Sequence, residues 1–319
     1  MSTEFEIIRR YFARPARTAL LGVGDDCALV RTRAGTTLAV STDMMIAGTH
    51  FFADAEADTL GHKALAVNLS DLAAMGAHPR WALLALALPR ANGKWIAAFA
   101  RGFLRLARRF GAELIGGDTT RGPLAICVTV IGEVPRQLAL RRDAARAGDD
   151  IWVSGATGEA ALGLAHLEGR VGLEGKARQA CLERLHAPEP RVALGLRLRG
   201  LAHSAIDVSD GLLADLGHIA RASGVAAELR WEDIPRAPAI ASCGNAALAK
   251  RCVLAGGDDY ELVFTAPASL RSRIVAAGKK ARVLVTAIGT VVAGKPAVRV
   301  RDARGKPVTT SRAGFDHFA

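Results

Sequence analysis

Short apolar runs alternate with helically spaced apolar residues through the first half of the chain. From Asp58 to Met75 the apolar positions recur at helical spacing and stop at Gly76. Residues 94–109 have the pattern of a basic amphipathic helix. The runs typical of strands are 37–42 (TLAVST), 81–88 (WALLALAL), 112–116 and 124–134. This half is therefore predicted to mix strands and helices.

The second half repeats this pattern after a polar stretch with a Gly-Asp turn at 141–150. Helical patterns continue to about residue 199, return at 209–223 with Ser209 as the N-cap, and return again after 265. Strands are predicted at 151–155 (IWVSG), 204–208 (SAIDV), 251–255, 260–265 and in a closing β region. The sequence thus predicts two α+β domains in series, residues 1–145 and 146–319, with α/β as the alternative fold class.

Composition gives the chain enough apolar material for two cores. It has 319 residues, of which 50% are hydrophobic and 23% charged, and a single core rarely grows beyond ~250 residues. The five cysteines are scattered without a C-x-x-C pair, which argues against a zinc site and fits a reducing compartment. The longest apolar run, 81–88, is far shorter than the ~20 residues of a membrane span. We therefore expect a soluble, cytoplasmic protein.

The net charge of +11 raises the alternative of a nucleic-acid-binding protein. The basic residues are spread along the chain, and no aromatic residues alternate with them to form a base-stacking platform. We favour solvated helix faces that attract anionic small molecules. A non-catalytic nucleic-acid-binding protein stays as the alternative from a different functional class.

The most informative pattern is a set of aspartates that follow apolar strands and stand beside Gly, Ser or Thr. Any one of them alone would be interpreted as a turn former or a cap. Carboxylates gathered from several strand ends repel one another unless cations lie among them. Oxygen ligands without Cys or His at metal-ligand spacing indicate Mg²⁺, which substrate phosphates usually complete. The set comprises Asp25, Asp26, Asp43, Asp118, Asp207, Asp210, Asp258 and Asp259, together with Asp71 on a predicted helix.

Two segments nearly match common nucleotide-binding motifs, but each lacks a residue that its motif requires. GTVVAGKP at 289–296 resembles a P-loop, but Pro296 replaces the required Ser or Thr and a strand-like segment follows. GVGDDC begins like a dinucleotide-binding motif but lacks the third glycine. A nucleoside triphosphate bound through the aspartates therefore needs a different kind of site.

Eight segments resemble the thiamine-monophosphate kinase family, and they occur in that family's order. The resemblance implies the two-domain α+β fold of aminoimidazole ribonucleotide synthetase-like proteins, with mixed sheets and flanking helices in each domain. It also implies a homodimer whose interface helps to form the ATP site, with residues 1–145 as the ATP- and magnesium-binding and dimerisation domain. The segments are GVGDDCALV, STD, AGTHF, KALAVNLSDLAAMGA, LIGGDTTRGP, SAIDVSDGL, GGDDYEL and GFDHF.

Matched position by position, the resemblance implies three groups of site residues. The positions that match magnesium ligands are Asp26, Ser41, Thr42, Asp43, Asp71, Asp118, Asp207 and Asp210. Those that match nucleotide contacts are Gly117, Asp118, Arg142 and Ser209. Those that match contacts to the thiamine substrate are His50, Asp258 and Phe315, where the family more often has Glu at 258 and Tyr or Trp at 315.

The implied activity is direct in-line transfer of the γ-phosphoryl group of ATP to thiamine monophosphate, with several Mg²⁺ ions bound. The acceptor is a phosphate monoester with a second pKa of ~6, so it needs no strong general base at neutral pH. No phosphoenzyme and no catalytic residue apart from the metal cluster are expected. The alternative enzyme is a sibling ATP-dependent synthetase of the aminoimidazole ribonucleotide or selenophosphate type, although no cysteine precedes Gly22 as the second would require. Neither nucleic acid nor membrane is an expected partner.

Overall fold

The structure, a computed structural model, describes residues 3–24, 26–311 and 313–315. Its backbone divides into two compact units. The first comprises Met1–Leu72 and Ala77–Gln137, and the second comprises Ala73–Gly76 and Leu138–Ala319. The functional boundary expected at 145/146 stays a prediction.

The first unit contains a four-stranded sheet in the order β3-β6-β4-β5. Its outer strands are β3 and β5, and only the β4–β5 pair is parallel. A separate antiparallel pair, β1-β2, precedes it. The strands are β1 (Ala19–Leu21), β2 (Leu29–Val30), β3 (Thr36–Ile46), β4 (His78–Leu88), β5 (Glu113–Arg121) and β6 (Ala125–Pro135). The helices are α1 (Glu4–Ile7), which continues as a π-helical turn over Ile8–Phe12, α2 (Ala57–Ala74) and α3 (Gly93–Phe110).

Helices α2 and α3 cross closely because glycines stand at their contact. A Cβ atom on Gly61 would lie 2.1 Å from the carbonyl oxygen of Phe99, and one on Gly102 would lie 1.9 Å from that of Asp58. Helix α3 begins at the cap Asn92, whose side chain accepts from the N–H groups of Lys94 and Trp95, and ends at the left-handed Gly111. This packing holds the first turns of α2 against α3.

One face of the four-stranded sheet packs against α2, and the other carries exposed apolar side chains. Leu65, Leu69 and Leu72 of α2 are fully buried, and a Cβ atom on Gly132 of β6 would lie 3.0 Å from Leu72 Cδ2. On the opposite face, β3 presents the large apolar side chains Leu38, Val40, Met44 and Ile46, of which Val40 is 62% exposed. An exposed apolar row of this kind marks an interaction surface.

The second unit is built on a six-stranded sheet in the order β12-β9-β11-β7-β10-β8, antiparallel except for β12–β9. The strands are β7 (Asp149–Ser154), β8 (Ser204–Asp207), β9 (Ala226–Arg230), β10 (Leu262–Pro267), β11 (Val285–Val292) and β12 (Ala297–Arg301). The helices are α4 (Glu159–Leu167), α5 (Gly175–His186), α6 (Val192–Leu198), α7 (Leu212–Ser223), α8 (Pro238–Ala241), α9 (Ala246–Ala255) and α10 (Arg271–Ala281), with short 3-10 turns at Trp231–Asp233 and Ala268–Leu270.

The α+β class is confirmed, and most predicted elements are present within a few residues. The strand predicted at 251–255 is wrong, because this segment is the second half of α9, which begins at the cap Asn245. The predicted N-cap Ser209 is also wrong, since α7 starts at Leu212 after Gly211 and has no side-chain cap. Strand β9 was not predicted. Within the described ranges, no helix combines the length and the apolar character needed to span a membrane.

Candidate functional site

In the first unit, β3 and α2 bring three of the predicted metal-ligand residues together. Ser41 and Asp43 share a face of β3 because strand side chains alternate, and Asp71 stands on the turn of α2 that faces them. The Ser41 hydroxyl donates to Asp71 Oδ2 at 2.5 Å. The backbone N–H of Asp43 donates to Asn68 Oδ1 at 3.1 Å. These bonds fix β3 to α2 at this point of the sheet.

The electrostatics of this group suit a hard divalent cation. Burial, followed by the negative charge of Asp71, raises the pKa of Asp43 to about 6. A Mg²⁺ ion would offset both effects, because it favours the charged form of each carboxylate. The donors are carboxylate and hydroxyl oxygens, the ligands that Mg²⁺ prefers. The residues present therefore fit the metal that the sequence implied.

Thr42 and Asp118 lie on the other face of the same sheet. The Thr42 hydroxyl is 2.8 Å from that of Thr129. Across the sheet, Asp118 lies opposite Ala85, Ala85 lies opposite Cys127, and Cys127 lies opposite Met44. Residues opposite each other on adjacent strands share a face of the sheet, so Asp118 lies on the exposed apolar face with Met44. Strands β3 and β5 are also opposite edges of the sheet, ~14 Å apart. Within this unit, Asp118 is therefore not brought together with Asp43 and Asp71.

Gly117 provides a close backbone approach beside Asp118. Its φ of +144° is accessible mainly to glycine. A Cβ atom there would lie 1.9 Å from the carbonyl oxygen of Leu84 on the neighbouring strand. No side chain fits at this position, so a glycine is required where β5 approaches the backbone of β4 this closely.

His50 and Asp26 lie outside the β3–α2 group. His50 stands in the turn after β3, where its Nδ1 accepts the backbone N–H of Ile46 at 3.0 Å. This bond requires the tautomer that carries its proton on Nε2, so His50 presents an N–H donor. Asp26 is exposed in the segment before β2, and its neighbour Asp25 lies outside the described residues.

In the second unit, the turn after β8 has all of its backbone polar groups paired. The N–H groups of Ser209, Asp210 and Gly211 all donate to Asp215 Oδ2, at 3.0, 3.1 and 3.0 Å. Asp215 stands in the first turn of α7 and takes the place of the predicted Ser209 cap. Burial, then the charge of Asp210, raises its pKa to about 7, and the three backbone bonds oppose this shift.

The GGDDYEL segment is hydrogen-bonded directly to this turn. The N–H of Asp258 donates to the Ser209 carbonyl at 2.8 Å, and that of Tyr260 donates to the Val208 carbonyl at 2.9 Å. Asp258 and Tyr260 have φ of +68° and +49°, a region that costs energy for residues other than glycine. The Tyr260 hydroxyl donates to Asp258 Oδ1 at 3.0 Å, which orients that carboxylate.

The C-terminal segment completes this convergence in the second unit. The N–H of Phe315 donates to the Asp210 carbonyl at 3.0 Å, and the residue as a whole is 54% exposed. A Cβ atom on Gly314 would lie 2.5 Å from Ala214 Cβ, so this residue too passes close to α7. Three segments singled out in the sequence, 207–211, 256–261 and 313–315, are thus joined by backbone hydrogen bonds.

Arg142 is the predicted nucleotide contact with the weakest local support. It is exposed in a bend before β7. Its carbonyl oxygen accepts from the Ser223 hydroxyl at 2.8 Å, which holds the backbone at the end of α7. Its guanidinium role stays a prediction.

Three acids near these segments are buried; Asp259 belongs to the aspartate set predicted from the sequence, whereas Asp215 and Glu261 were not predicted. Asp215 was passed over as part of a helix. Asp259 is buried and accepts the Gly158 N–H at 2.7 Å, which ties the GGDDYEL segment to the start of α4. Glu261 is buried and pairs with Arg191 and the Ser154 hydroxyl. In this segment residues 259 and 261 are buried while residues 258 and 260 are partly buried.

Among the residues that the structure describes, no three His, Cys, Asp or Glu side chains are grouped closely enough to hold a metal ion. A magnesium ion at the Asp43–Asp71 group therefore needs further oxygens, from hydroxyls, substrate phosphates or another chain.

Comparison with protein families gives two matches that together span most of the chain. The N-terminal domain of AIR synthase related protein matches residues 24–134. The C-terminal domain of AIR synthase related protein matches residues 146–301.

Individual relatives and solved structures agree with these two family matches. The chain is 44% identical over 321 residues to thiamine-monophosphate kinase of Salmonella typhimurium, covering 99% of this chain and 98% of that one. It resembles the crystal structure of thiamine-monophosphate kinase from Stenotrophomonas maltophilia K279a, with a TM-score of 0.85, 46% identity, and coverage of 95% and 96% of the two chains. It also resembles AaThiL complexed with AMPPCP and TMP, with a TM-score of 0.77, 30% identity, and coverage of 90% and 89%.

Proposed function

The chain belongs to the AIR synthase related proteins and, among them, to the thiamine-monophosphate kinases, and on that premise we propose how its residues perform the reaction. The γ-phosphoryl group of ATP is transferred to thiamine monophosphate, giving thiamine diphosphate and ADP. The observation that carries this function is identity of 44% along 99% of the chain to a thiamine-monophosphate kinase. The complex of a related protein with AMPPCP and TMP supports the two substrates.

Magnesium is proposed to bind first of all at the Asp43–Asp71 group with Ser41. Bound there, Mg²⁺ ions would neutralise the phosphate charges that otherwise keep the two substrates apart. Ser41 and Asn68 orient the group through their hydrogen bonds to Asp71 and to the Asp43 backbone. Further ligands are proposed at Asp26, Thr42, Asp118, Asp207 and Asp210.

The other residues are proposed to position the substrates. Gly117 and the Ser209 hydroxyl contact the nucleotide, together with Asp118 and Arg142. The backbone N–H of Ser209 is already bonded to Asp215, so its nucleotide contact runs through the hydroxyl. His50 offers its Nε2–H, Asp258 its carboxylate and Phe315 its ring to thiamine monophosphate. The attacking phosphate oxygen needs no protein base, since its second pKa is ~6.

A homodimer is proposed through the exposed apolar face of the four-stranded sheet. Leu38, Val40, Met44 and Ile46 give β3 a row that monomers rarely leave open to water. Asp118 lies on this same face, away from Asp43. We propose that a second copy covers the face and that Asp118 acts in a site shared by the two chains. Residues 1–145 are accordingly proposed as the ATP- and magnesium-binding and dimerisation domain.

The reaction takes place in the cytoplasm, with no nucleic acid or membrane partner. The test of the function is incubation with MgATP and separate acceptors, followed by mass analysis of the products. We expect thiamine diphosphate from thiamine monophosphate, and no product from aminoimidazole ribonucleotide precursors or selenide. A product from either of the latter would assign the chain to a sibling synthetase instead.

Replacing Phe315 by Ala is expected to raise the KM for thiamine monophosphate about tenfold with the KM for ATP nearly unchanged. The thiazolium ring is cationic and its neighbour is flat, so an aromatic face gains roughly 1–2 kcal/mol from dispersion and cation–π attraction. Phe315→Tyr should keep the wild-type constants. Steady-state kinetics with each substrate varied separately measures both. Equal losses for the two substrates with a lowered Tm would show that Phe315 only anchors the chain end.

A further inference from the structure

The turn formed by residues 208–211 contains the proposed magnesium ligand Asp210 and the proposed nucleotide contact Ser209. The shape of this turn determines where both side chains point. Its backbone has no regular secondary structure to hold it. Each of its carbonyl oxygens is nevertheless paired. Those of Val208, Ser209 and Asp210 accept from Tyr260, Asp258 and Phe315, and that of Gly211 accepts from Asp215.

Three of the four backbone N–H groups of the turn are paired with a single side chain, that of Asp215. Three successive N–H groups, of Ser209, Asp210 and Gly211, converge on Oδ2 of Asp215. Three consecutive amides aimed at one point form an anion-binding nest, the arrangement that holds phosphate in other proteins. Here a carboxylate of the same chain fills the nest, and it is 2% exposed.

We propose that Asp215 is a positioning residue for the kinase reaction, which holds the Ser209–Gly211 turn in its ligand-binding shape before any ligand arrives. Asp215 does not touch substrate in this scheme. It fills the nest, so the nucleotide must be bound by the Ser209 hydroxyl and the Asp210 carboxylate and not by the turn's amides. This inference rests on the proposed function for its kinetic consequences, but not for its structural ones.

The geometry explains why a carboxylate is required at this position. A carboxylate oxygen accepts several N–H groups at once, and bonds to a charged acceptor are about twice as strong as neutral ones. In Asp215→Asn the amide oxygen can take the place of Oδ2, but it is a neutral acceptor, so all three bonds from the turn lose the strength that a charged acceptor gives. Mutation of a residue that orients a ligand in this way typically lowers metal affinity or activity by about 10–100-fold.

Asp149 provides a matched control in the same unit. It is buried to the same degree and likewise accepts a backbone N–H, from Arg146 at 2.9 Å, as well as bonds from His203 and Thr265. It stands at the start of β7 and has no contact with the turn among the hydrogen bonds described. Asp149→Asn should lower Tm as much as Asp215→Asn without changing the turn.

The test combines hydrogen exchange with kinetics on the full-length chain. In Asp215→Asn, we expect the amides of 209–211 to exchange at least about tenfold faster than in the wild type and in Asp149→Asn. The half-saturating Mg²⁺ concentration and the KM for ATP should rise about tenfold. The KM for thiamine monophosphate should rise less, because Asp258 and Phe315 are joined to the turn only through its carbonyl oxygens. If Asp215→Asn does not fold, Asp215→Glu, which keeps the charge but displaces it by one methylene, takes its place.

The outcomes separate this inference from the proposed function. Wild-type exchange at 209–211 in a folded Asp215 variant would overturn the inference, as would a lower Tm with unchanged Mg²⁺ and ATP dependence. If the wild type forms no thiamine diphosphate, the proposed function fails, and the exchange result still decides whether Asp215 holds the turn.

Discussion

Asp71→Asn is expected to lower kcat about a hundredfold or more in a protein that stays folded. Asp71 accepts the Ser41 hydroxyl and lies close enough to Asp43 to raise its pKa. Replacing one carboxylate by an amide removes a charge from the group proposed to hold Mg²⁺. Loss of a residue that only orients a metal ligand lowers metal affinity or activity by about 10–100-fold, so loss of a ligand itself should lower activity by at least as much. The measurement is kcat at saturating ATP over a range of Mg²⁺ concentrations.

The thermal stability of Asp71→Asn should not fall with its activity. Without Mg²⁺, the two nearby carboxylates repel each other, so Asp71→Asn should keep or raise Tm in metal-free buffer. The matched control is Asp58→Asn, in the first turn of the same helix and ~20 Å away along it. Asp58 is partly buried and pairs with Arg101 and Arg105, so Asp58→Asn should lower Tm and leave kcat unchanged. Near-normal turnover of Asp71→Asn at limiting Mg²⁺ would show the metal assignment to be wrong.

Val40→Lys is expected to convert the protein into an inactive monomer. Val40 is the most exposed of the apolar side chains along β3. A lysine there would bury a charge from each of two copies in the proposed interface, where an unpaired charge costs several kcal/mol. Sedimentation should give a mass near 33.5 kDa for the variant and about twice that for the wild type. Activity should fall with the dimer fraction, because Asp118 lies on the same sheet face.

The control for this variant is Leu284→Lys. Leu284 is 69% exposed and belongs to the second unit, outside the proposed interface. Leu284→Lys should leave both the mass measured by sedimentation and the kinase activity unchanged. A wild-type protein that sediments as a monomer and is fully active would contradict the shared site.

The sequence predicted the elements whose signals are local. Helix α2 was predicted within one residue because its apolar spacing and Gly76 both mark it. The segment 251–255 was misassigned since a short apolar run does not distinguish a strand from a buried helix end. The Ser209 cap failed because the true acceptor, Asp215, reaches back from inside the helix, and no local rule predicts that three amides share it.

The arrangement of the site depended on tertiary features that one sequence does not contain. Asp43 and Asp118 follow similar strand patterns, yet the strand order and register put them on opposite faces of the sheet. The link between GGDDYEL and the turn after β8 consists of backbone bonds, which side-chain patterns do not specify. The residues could therefore be singled out from motifs, while their grouping required the fold. Their individual roles stay predictions.

The most direct test of the central claim is transfer of label from γ-labelled ATP in the presence of Mg²⁺ and thiamine monophosphate. Direct in-line transfer predicts label in the terminal phosphate of thiamine diphosphate, one product for each ADP, with no labelled protein and no transfer once Mg²⁺ is chelated. Label released only as inorganic phosphate, without labelled thiamine diphosphate, would contradict the account.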